Sequence, residues 1–154
     1  MRDIHCVINS LRALGLDKIV MSSIYQRYIQ DNVIAYLAHY GIKTLADECL
    51  SCALADCMTK PTMETAYDSA MLVRDKAREA QGMFIACPQW PIIDNIGRIE
   101  REAGMPVVTH IAAIMWGALN HIGVREPFAG HGMLLEQWPR WLDPAESDAE
   151  KSAA

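Results

Sequence analysis

Nucleophilic and hydroxyl-bearing side chains follow three short apolar segments of the sequence. Ser23 and Tyr25 follow the first segment, Cys87 ends the second, and Thr109 and His110 end the third. A thiol can act as an acid, a base or a nucleophile, and hydroxyl groups can hold a small carboxylate. This combination predicts a site for a small carboxylic acid, with Cys87 as the catalytic residue. On position alone, the alternative that Cys87 is a small buried hydrophobic residue stays open.

Segments with strand and helix spacing alternate along the chain, which predicts a parallel β-sheet with helices on both faces. We expect an α/β fold, a flavodoxin-like three-layer sandwich with a four-stranded parallel sheet in the order 2-1-3-4. The predicted strands are residues 18–23, 42–50, 82–87 and 106–109. The predicted helices are residues 4–14, 29–40, 59–77, 91–103 and 112–122, with Ser22 or Ser23 as N-cap of the second and Pro91 at the start of the fourth.

This strand order would bring the candidate side chains together. Ligands of open parallel sheets bind beyond the carboxyl ends of the strands, and the first, third and fourth strands are neighbours in the predicted order. Each candidate would also stand at a helix N-terminus, whose N–H groups and dipole favour an anion and a thiolate. We therefore expect Ser23, Tyr25, Cys87, Thr109 and His110 to converge on one anion-binding site.

The composition excludes several classes of protein. The chain has 154 residues and a formal net charge of −5, which argues against binding to nucleic acid or to an anionic membrane. It contains no apolar run long enough to span a bilayer and no signal-peptide pattern at its start. The five cysteines are expected to be thiols, and the expected location is cytoplasmic. We expect one lobe over residues 1–124, a packing tail over 125–143 and a disordered C-terminus over 144–154.

Several short motifs, taken in their order along the chain, resemble one enzyme family. They are Leu-Arg-Ala-Leu-Gly at 11–15, Ser-Ile-Tyr at 23–25, Ala-Cys at 86–87, Ile-Ile-Asp at 92–94, Ile-Glu at 99–100, Gly-Met-Pro-Val-Val-Thr at 104–109, and Ala113 and Trp116. Together they resemble the second lobe of the aspartate/glutamate racemase superfamily, in its maleate cis-trans isomerase and arylmalonate decarboxylase branch.

The resemblance implies a cofactor-independent enzyme in which two similar lobes close over a dicarboxylate or a related acid. Cys87 matches the catalytic cysteine of the second lobe, which donates a proton to an enediolate or adds across a double bond. Tyr25 matches a tyrosine that helps to hold the substrate carboxylate, and Ser23 matches a neighbouring threonine. The resemblance implies neither a metal nor a cofactor.

The residues after Cys87 depart from the family pattern, which has small or hydroxylated residues there. Pro88 has no N–H to offer a carboxylate, and Trp90 is expected to fill part of the pocket. His110 stands where the family often has serine. It is a candidate base or anion contact, and the alternative is a histidine whose hydrogen bonds are satisfied at a helix start.

The resemblance covers only one of the family's two lobes, so it predicts half of an active site. We expect a homodimer, or a partner chain, to supply the other half. The predicted activity is that of an isomerase or racemase, or of a decarboxylase, acting on a small carboxylic acid. The alternative is a non-catalytic anion-binding or interaction module derived from the same fold.

Two cysteine motifs suggest other chemistry. Cys6 and Arg12 have the spacing of a phosphatase loop, but the apolar spacing around them is helical, so a helix face is favoured. Cys49, Cys52 and Cys57 form a C-x₂-C-x₄-C cluster that could hold zinc with a fourth ligand. Structural zinc sites more often show two cysteine pairs, so a loop is favoured and metal binding stays the open alternative.

Overall fold

The structure is a computed structural model that describes residues 3–53, 56 and 61–142. Its strands are β1 (Lys18–Ser23), β2 (Lys43–Cys49), β3 (Gly82–Ala86) and β4 (Val107–Thr109). Its helices are α1 (Asp3–Ala13), α2 (Arg27–His39), α3 (Met63–Lys76), α4 (Ile96–Ala103), α5 (His110–His121) and α6 (Met133–Gln137), and a 3₁₀ turn (Ile93–Asn95) precedes α4. Within these ranges, no helix has the length and apolar character needed to cross a membrane.

The four strands form one parallel sheet in the order β2-β1-β3-β4, which confirms the predicted strand order and fold class. The central strands β1 and β3 are buried almost throughout, as their continuous apolar runs predict. Ser23 of β1 lies opposite Ala86 of β3, and Ile85 of β3 lies opposite Thr109 of β4. This register brings the ends of three strands to one edge of the sheet.

Helices cover both faces of the sheet. Helix α2 connects β1 to β2, on one side of β1, and α3 connects β2 to β3, on the other side of β1. Because the two connections run in opposite directions and both crossovers are right-handed, α2 and α3 lie on opposite faces of the sheet. On the α2 face, α1 packs against α5, and His5 of α1 lies 3.2 Å from the hydroxyl of Tyr36 in α2. On the other face, α3 packs against α4, where Arg98 pairs with Glu64 at 3.2 Å.

Three of the predicted helix starts are wrong. The third helix begins at Met63, after the N-cap residue Thr62, rather than at residue 59. Ser22 and Ser23 are buried in β1 and bond to neighbouring side chains, and α2 begins only after Gln26, which makes no side-chain capping bond. The fourth helix begins at Ile96 rather than at Pro91, because the 3₁₀ turn occupies the intervening segment. Consequently Cys87 does not stand at the first turn of an α-helix.

The helical interpretation of the segment with phosphatase-loop spacing is confirmed. Cys6 and Arg12 both lie in α1, and Cys6 is buried. The Arg12 guanidinium donates to the carbonyl of Tyr40 at 2.9 Å. Because the backbone N–H groups of a helix interior are already bonded, this segment cannot wrap a phosphate.

The tail after α5 packs on the lobe. Leu134 and Leu135 of α6 are buried, and the Trp141 ring lies 5.2 Å from that of Trp116 in α5, centroid to centroid. Glu100 of α4 accepts hydrogen bonds from the backbone N–H groups of Val107 and Met133, at distances of 2.8 to 3.0 Å. The segment 144–154, predicted to be disordered, lies outside the described residues.

Candidate active site

Cys87 follows β3 directly and has an uncommon backbone conformation. Its φ is 100°, a value that residues other than glycine rarely adopt. Its backbone N–H donates to Nδ1 of His110 at 3.0 Å, and only 5% of the residue is exposed. This hydrogen bond between the end of β3 and the start of α5 holds the cysteine in place at the carboxyl edge of the sheet.

His110 is the first residue of α5 and is buried against the ring of Phe84, with the centroids 5.1 Å apart. Burial lowers the pKa of His110 to about 4, and the nearby carboxylate of Asp3 opposes this only in part. The imidazole is therefore neutral near pH 7. Because Nδ1 accepts the Cys87 N–H, the ring proton is on Nε2.

The thiol of Cys87 faces a cavity of about 220 Å³, which we call the thiol cavity. Its Sγ donates to Oε1 of Gln89 at 3.2 Å. The residues that line the thiol cavity come from the ends of β1, β2 and β3 and from the start of α2: Tyr25, Gln26, Tyr28, Ile29, Cys52, Cys87 and Gln89. The thiol of Cys87 thus shares its cavity with two phenols, two amides and a second thiol.

A second cavity of about 470 Å³, which we call the histidine cavity, lies on the other side of Tyr25. Tyr25 and Ile29 line both cavities. The other residues of the histidine cavity come from α1, α2 and the start of α5: Asp3, Ile4, Asn32, Val33, Tyr36 and His110. The His110 side chain therefore contacts the backbone of Cys87, and it also lines the histidine cavity, into which a ligand could extend.

Tyr25 is the hydroxyl group best placed to contact a ligand. Burial, and next the charge of Cys87, raise the pKa of Tyr25 well above its usual range. The phenol therefore stays protonated and can donate a hydrogen bond to an anion in either cavity. Because the charge of Cys87 contributes to this shift, the phenol and the thiol belong to one electrostatic environment.

The hydroxyl groups of Ser23 and Thr109 are buried and bond within the fold. Ser23 Oγ accepts from the Tyr25 N–H at 3.0 Å and donates to the side-chain oxygen of Gln30. Thr109 Oγ1 accepts from the Ala112 N–H at 3.2 Å and caps α5. Neither residue is among the described residues that line the two cavities, and their predicted contact with substrate stays a prediction.

None of the described residues that line the two cavities carries a lysine or arginine side chain. A carboxylate bound here would depend on hydroxyl and N–H donors rather than on an ion pair. Within the described part of the chain, no three His, Cys, Asp or Glu side chains converge to hold a metal. Cys57 lies outside the described residues, so the zinc alternative for its cluster is not decided.

The sequence analysis did not assign Gln89 or Cys52 to the candidate site, and it misplaced Trp90. Gln89 lies two residues after Cys87, and this spacing allows the contact that is observed. Cys52 was considered only as part of a possible zinc cluster, because only the packing of the loop after β2 brings it to this cavity. Trp90 does not line either cavity; it is buried, and its indole N–H donates to the carbonyl of Thr62 at 3.0 Å.

A family model and two relatives of known function indicate the same enzyme family. The family model described as arylmalonate decarboxylase matches residues 3–135. Arylmalonate decarboxylase from Bordetella bronchiseptica is 25% identical over 132 residues, which cover 85% of this chain and 55% of that protein. Maleate isomerase from Nocardia farcinica is 26% identical over 136 residues, which cover 85% of this chain and 52% of that protein.

Structural comparison gives the same result. A crystal structure of arylmalonate decarboxylase superposes with a TM-score of 0.77 at 25% identity, covering 86% of this chain and 58% of that one. These matches confirm the resemblance expected from the motifs. The chain spans about half the length of the curated relatives it matches.

Proposed function

Because the chain belongs to the arylmalonate decarboxylase family, we propose that it acts on a small carboxylic or dicarboxylic acid, without a cofactor, through the thiol of Cys87. The observation that carries the proposal is the position of Cys87 at the end of β3, in one cavity with Tyr25. The relatives include a decarboxylase and an isomerase. We propose isomerisation or racemisation first and decarboxylation second.

The thiol can serve each reaction. In decarboxylation, the bond to the leaving carboxylate breaks, its electron pair delocalises into the remaining carboxyl group as an enediolate, and Cys87 gives a proton to the α-carbon. In cis-trans isomerisation, the thiolate adds to one alkene carbon, the resulting single bond rotates, and the thiolate leaves. In both reactions the protonated Tyr25 hydroxyl donates to the substrate carboxylate, where negative charge is held.

A second protein surface completes the site in this proposal. The thiol cavity is bordered by Tyr28, which is 63% exposed, and Leu50 after β2 is also exposed. The described residues of this cavity include no cation, so we expect a dicarboxylate to need further donors. We expect a second copy of the chain, or a partner chain, to cover this edge and supply them.

One observation favours a non-catalytic alternative, an anion-binding or interaction module. The Cys87 N–H is already bonded to His110, and Pro88 has no N–H. Two backbone donors that could stabilise an oxyanion beside the thiol are therefore missing. A module that binds a carboxylate through Tyr25 would tolerate this loss, whereas rapid turnover would not.

The first test is the native mass, measured by light scattering across protein concentration, followed by assays of phenylmalonate decarboxylation and maleate isomerisation. We expect a dimer whose turnover is abolished in Cys87→Ala and retained in Cys6→Ala, since Cys6 lies in α1 outside both cavities. Absence of turnover, together with a carboxylate-dependent rise in Tm, would favour the binding module. A monomer with neither property would contradict both functions.

A further inference from the structure

Two thiols from different parts of the chain line the thiol cavity. Cys87 follows β3, and Cys52 lies in the loop after β2, 35 positions earlier in the sequence. All four described cysteines, including these two, are thiols rather than half-cystines. The cavity is therefore lined by two cysteines that can be oxidised.

The loop that carries Cys52 is positioned by backbone hydrogen bonds to the segment after β1. The Leu50 N–H donates to the Ser23 carbonyl at 2.9 Å, and the Cys52 N–H donates to the Ile24 carbonyl at 3.1 Å. Ser51, between them, has a φ of 50°, which turns the chain. Cys52 is thus positioned at the cavity wall by a segment that follows β2 and lies outside regular secondary structure.

Formation of a disulfide would need the segment that carries Cys52 to move. A disulfide requires Cβ atoms roughly 3.5 to 4.5 Å apart. Cys52 lies outside the helices and strands, in a loop that follows β2, and loops are the parts of a fold that move most readily.

The neighbouring thiols are less suited to bond with Cys87. Cys49 is the last residue of β2, does not line the cavity, and its Sγ donates to the Tyr25 carbonyl at 2.7 Å. Cys6 is buried in α1, in contact with Gly117 of α5. Among the described cysteines, only Cys52 shares open space with Cys87.

We propose that Cys52 and Cys87 form a reversible disulfide in response to hydrogen peroxide. The Cys87 thiolate attacks one peroxide oxygen, the O–O bond breaks, and the products are a cysteine sulfenic acid and, after protonation, water. The Cys52 sulfur then attacks the sulfenic sulfur, an S–S bond forms, the S–O bond breaks, and a second water leaves. Both thiols are oxidised at the expense of one peroxide molecule.

Formation of the disulfide removes the free thiol of Cys87, on which the proposed chemistry in the cavity depends. It also breaks the hydrogen bond from Cys87 to Gln89 and fills the cavity with the loop. Among the described cysteines no other lines the thiol cavity, so without Cys52 we expect a sulfenic acid at Cys87 to oxidise further, irreversibly. Cys52 therefore acts as a resolving cysteine that makes oxidation of the site reversible.

The test is peptide mapping of the oxidised protein. The full chain is treated with stoichiometric hydrogen peroxide, alkylated with iodoacetamide and digested with trypsin, which separates Cys52 in residues 44–74 from Cys87 in residues 79–98. We expect these peptides to be linked within one chain. Alkylation of Cys87 should fall about tenfold on oxidation and recover after dithiothreitol.

Single-cysteine variants are needed to identify which cysteine is linked to Cys87, because residues 44–74 also contain Cys49 and Cys57. Cys49→Ser and Cys57→Ser should keep the link, while Cys52→Ser and Cys52→Ala should lose it and accumulate a sulfinic acid at Cys87. A melting curve for each variant confirms that it is folded. A link that survives in Cys52→Ser, a link between two chains, or sulfinic acid at Cys87 of the wild-type protein without any link would overturn the proposal.

These measurements do not depend on turnover. The peptide masses and alkylation rates are read without substrate, so they stand whether or not the proposed enzymatic function holds.

Discussion

At the scale of single residues, the backbone conformation of Cys87 is stabilised by a hydrogen bond that its own N–H donates, so this N–H is not available to a ligand. Its positive φ is held by the bond from its N–H to His110, a histidine that burial keeps neutral. The His110 imidazole contacts the backbone of Cys87, and His110 also lines the histidine cavity. Its predicted role as a base or an anion contact stays a prediction.

Protonation of His110 should couple stability to pH. Its folded-state pKa of about 4 lies below the ordinary value of 6.5, so its contribution to folding is present above pH 6.5 and lost as the pH falls towards 4. The loss should reach about 3 kcal/mol. Urea unfolding between pH 7 and pH 4 measures it.

His110→Asn is the matched comparison, because its amide oxygen can accept the Cys87 N–H without titrating. We expect the free energy of unfolding of this variant to fall less steeply with acid than that of the wild-type protein. His121→Asn, which changes an exposed histidine of the same helix, should keep the wild-type loss. Equal slopes for all three proteins would contradict the prediction.

Gln89 should control how readily Cys87 forms a thiolate. A carboxylate in place of the amide that now accepts from Sγ would repel a thiolate at contact distance. In Gln89→Glu, alkylation of Cys87 by iodoacetamide at pH 7 should slow by about tenfold.

Gln26→Glu is the control for that variant. It introduces the same charge into the same cavity, away from the sulfur's hydrogen-bond partner, and should slow the reaction less. A rate for Gln89→Glu equal to or above that of the wild-type protein would show that Gln89 does not govern the thiol.

At the scale of elements, Glu100 connects α4, β4 and the start of α6. Its carboxylate accepts from the N–H groups of Val107 and Met133. Burial raises the pKa of Glu100, and the two N–H donors oppose that shift. The tail is thus held to the sheet by one half-buried side chain.

Removal of this carboxylate should destabilise the protein by about 2 kcal/mol, because charged hydrogen bonds to two buried N–H groups are lost. Chemical denaturation of Glu100→Ala measures the change. Glu64→Ala, which removes an exposed ion pair with Arg98 at 3.2 Å, should cost less than about 1 kcal/mol. Similar losses in both variants would mean that Glu100 does not hold the tail.

At the scale of the whole molecule, a carboxylate that binds the folded lobe should stabilise it by mass action. Malonate or maleate at a hundredfold excess over its Kd should add about 3 kcal/mol, a clear rise in Tm. Tyr25→Phe should lose most of this rise, because the hydroxyl that donates to the carboxylate is gone. An undiminished rise in Tyr25→Phe would place the ligand elsewhere on the protein.

The order of helices and strands, the 2-1-3-4 sheet and the place of Cys87 at a strand end were predictable from the chain. Apolar spacing, glycine positions and the handedness of crossovers are local or general properties, so one sequence carries them. The errors occurred at helix starts. Ser22 and Ser23 have side chains suited to capping, but burial in β1 directs them to Ser69 and Gln30 instead.

The partners of the candidate site depended on the tertiary structure. The bond from Cys87 to His110 and the approach of Cys52 join positions 23 and 35 residues apart. The distances between such residues depend on how loops and helices pack on the sheet. The spacing of residues along the chain does not determine these distances. Sequence therefore identified the thiol and the fold that presents it, while packing determined which groups lie beside it.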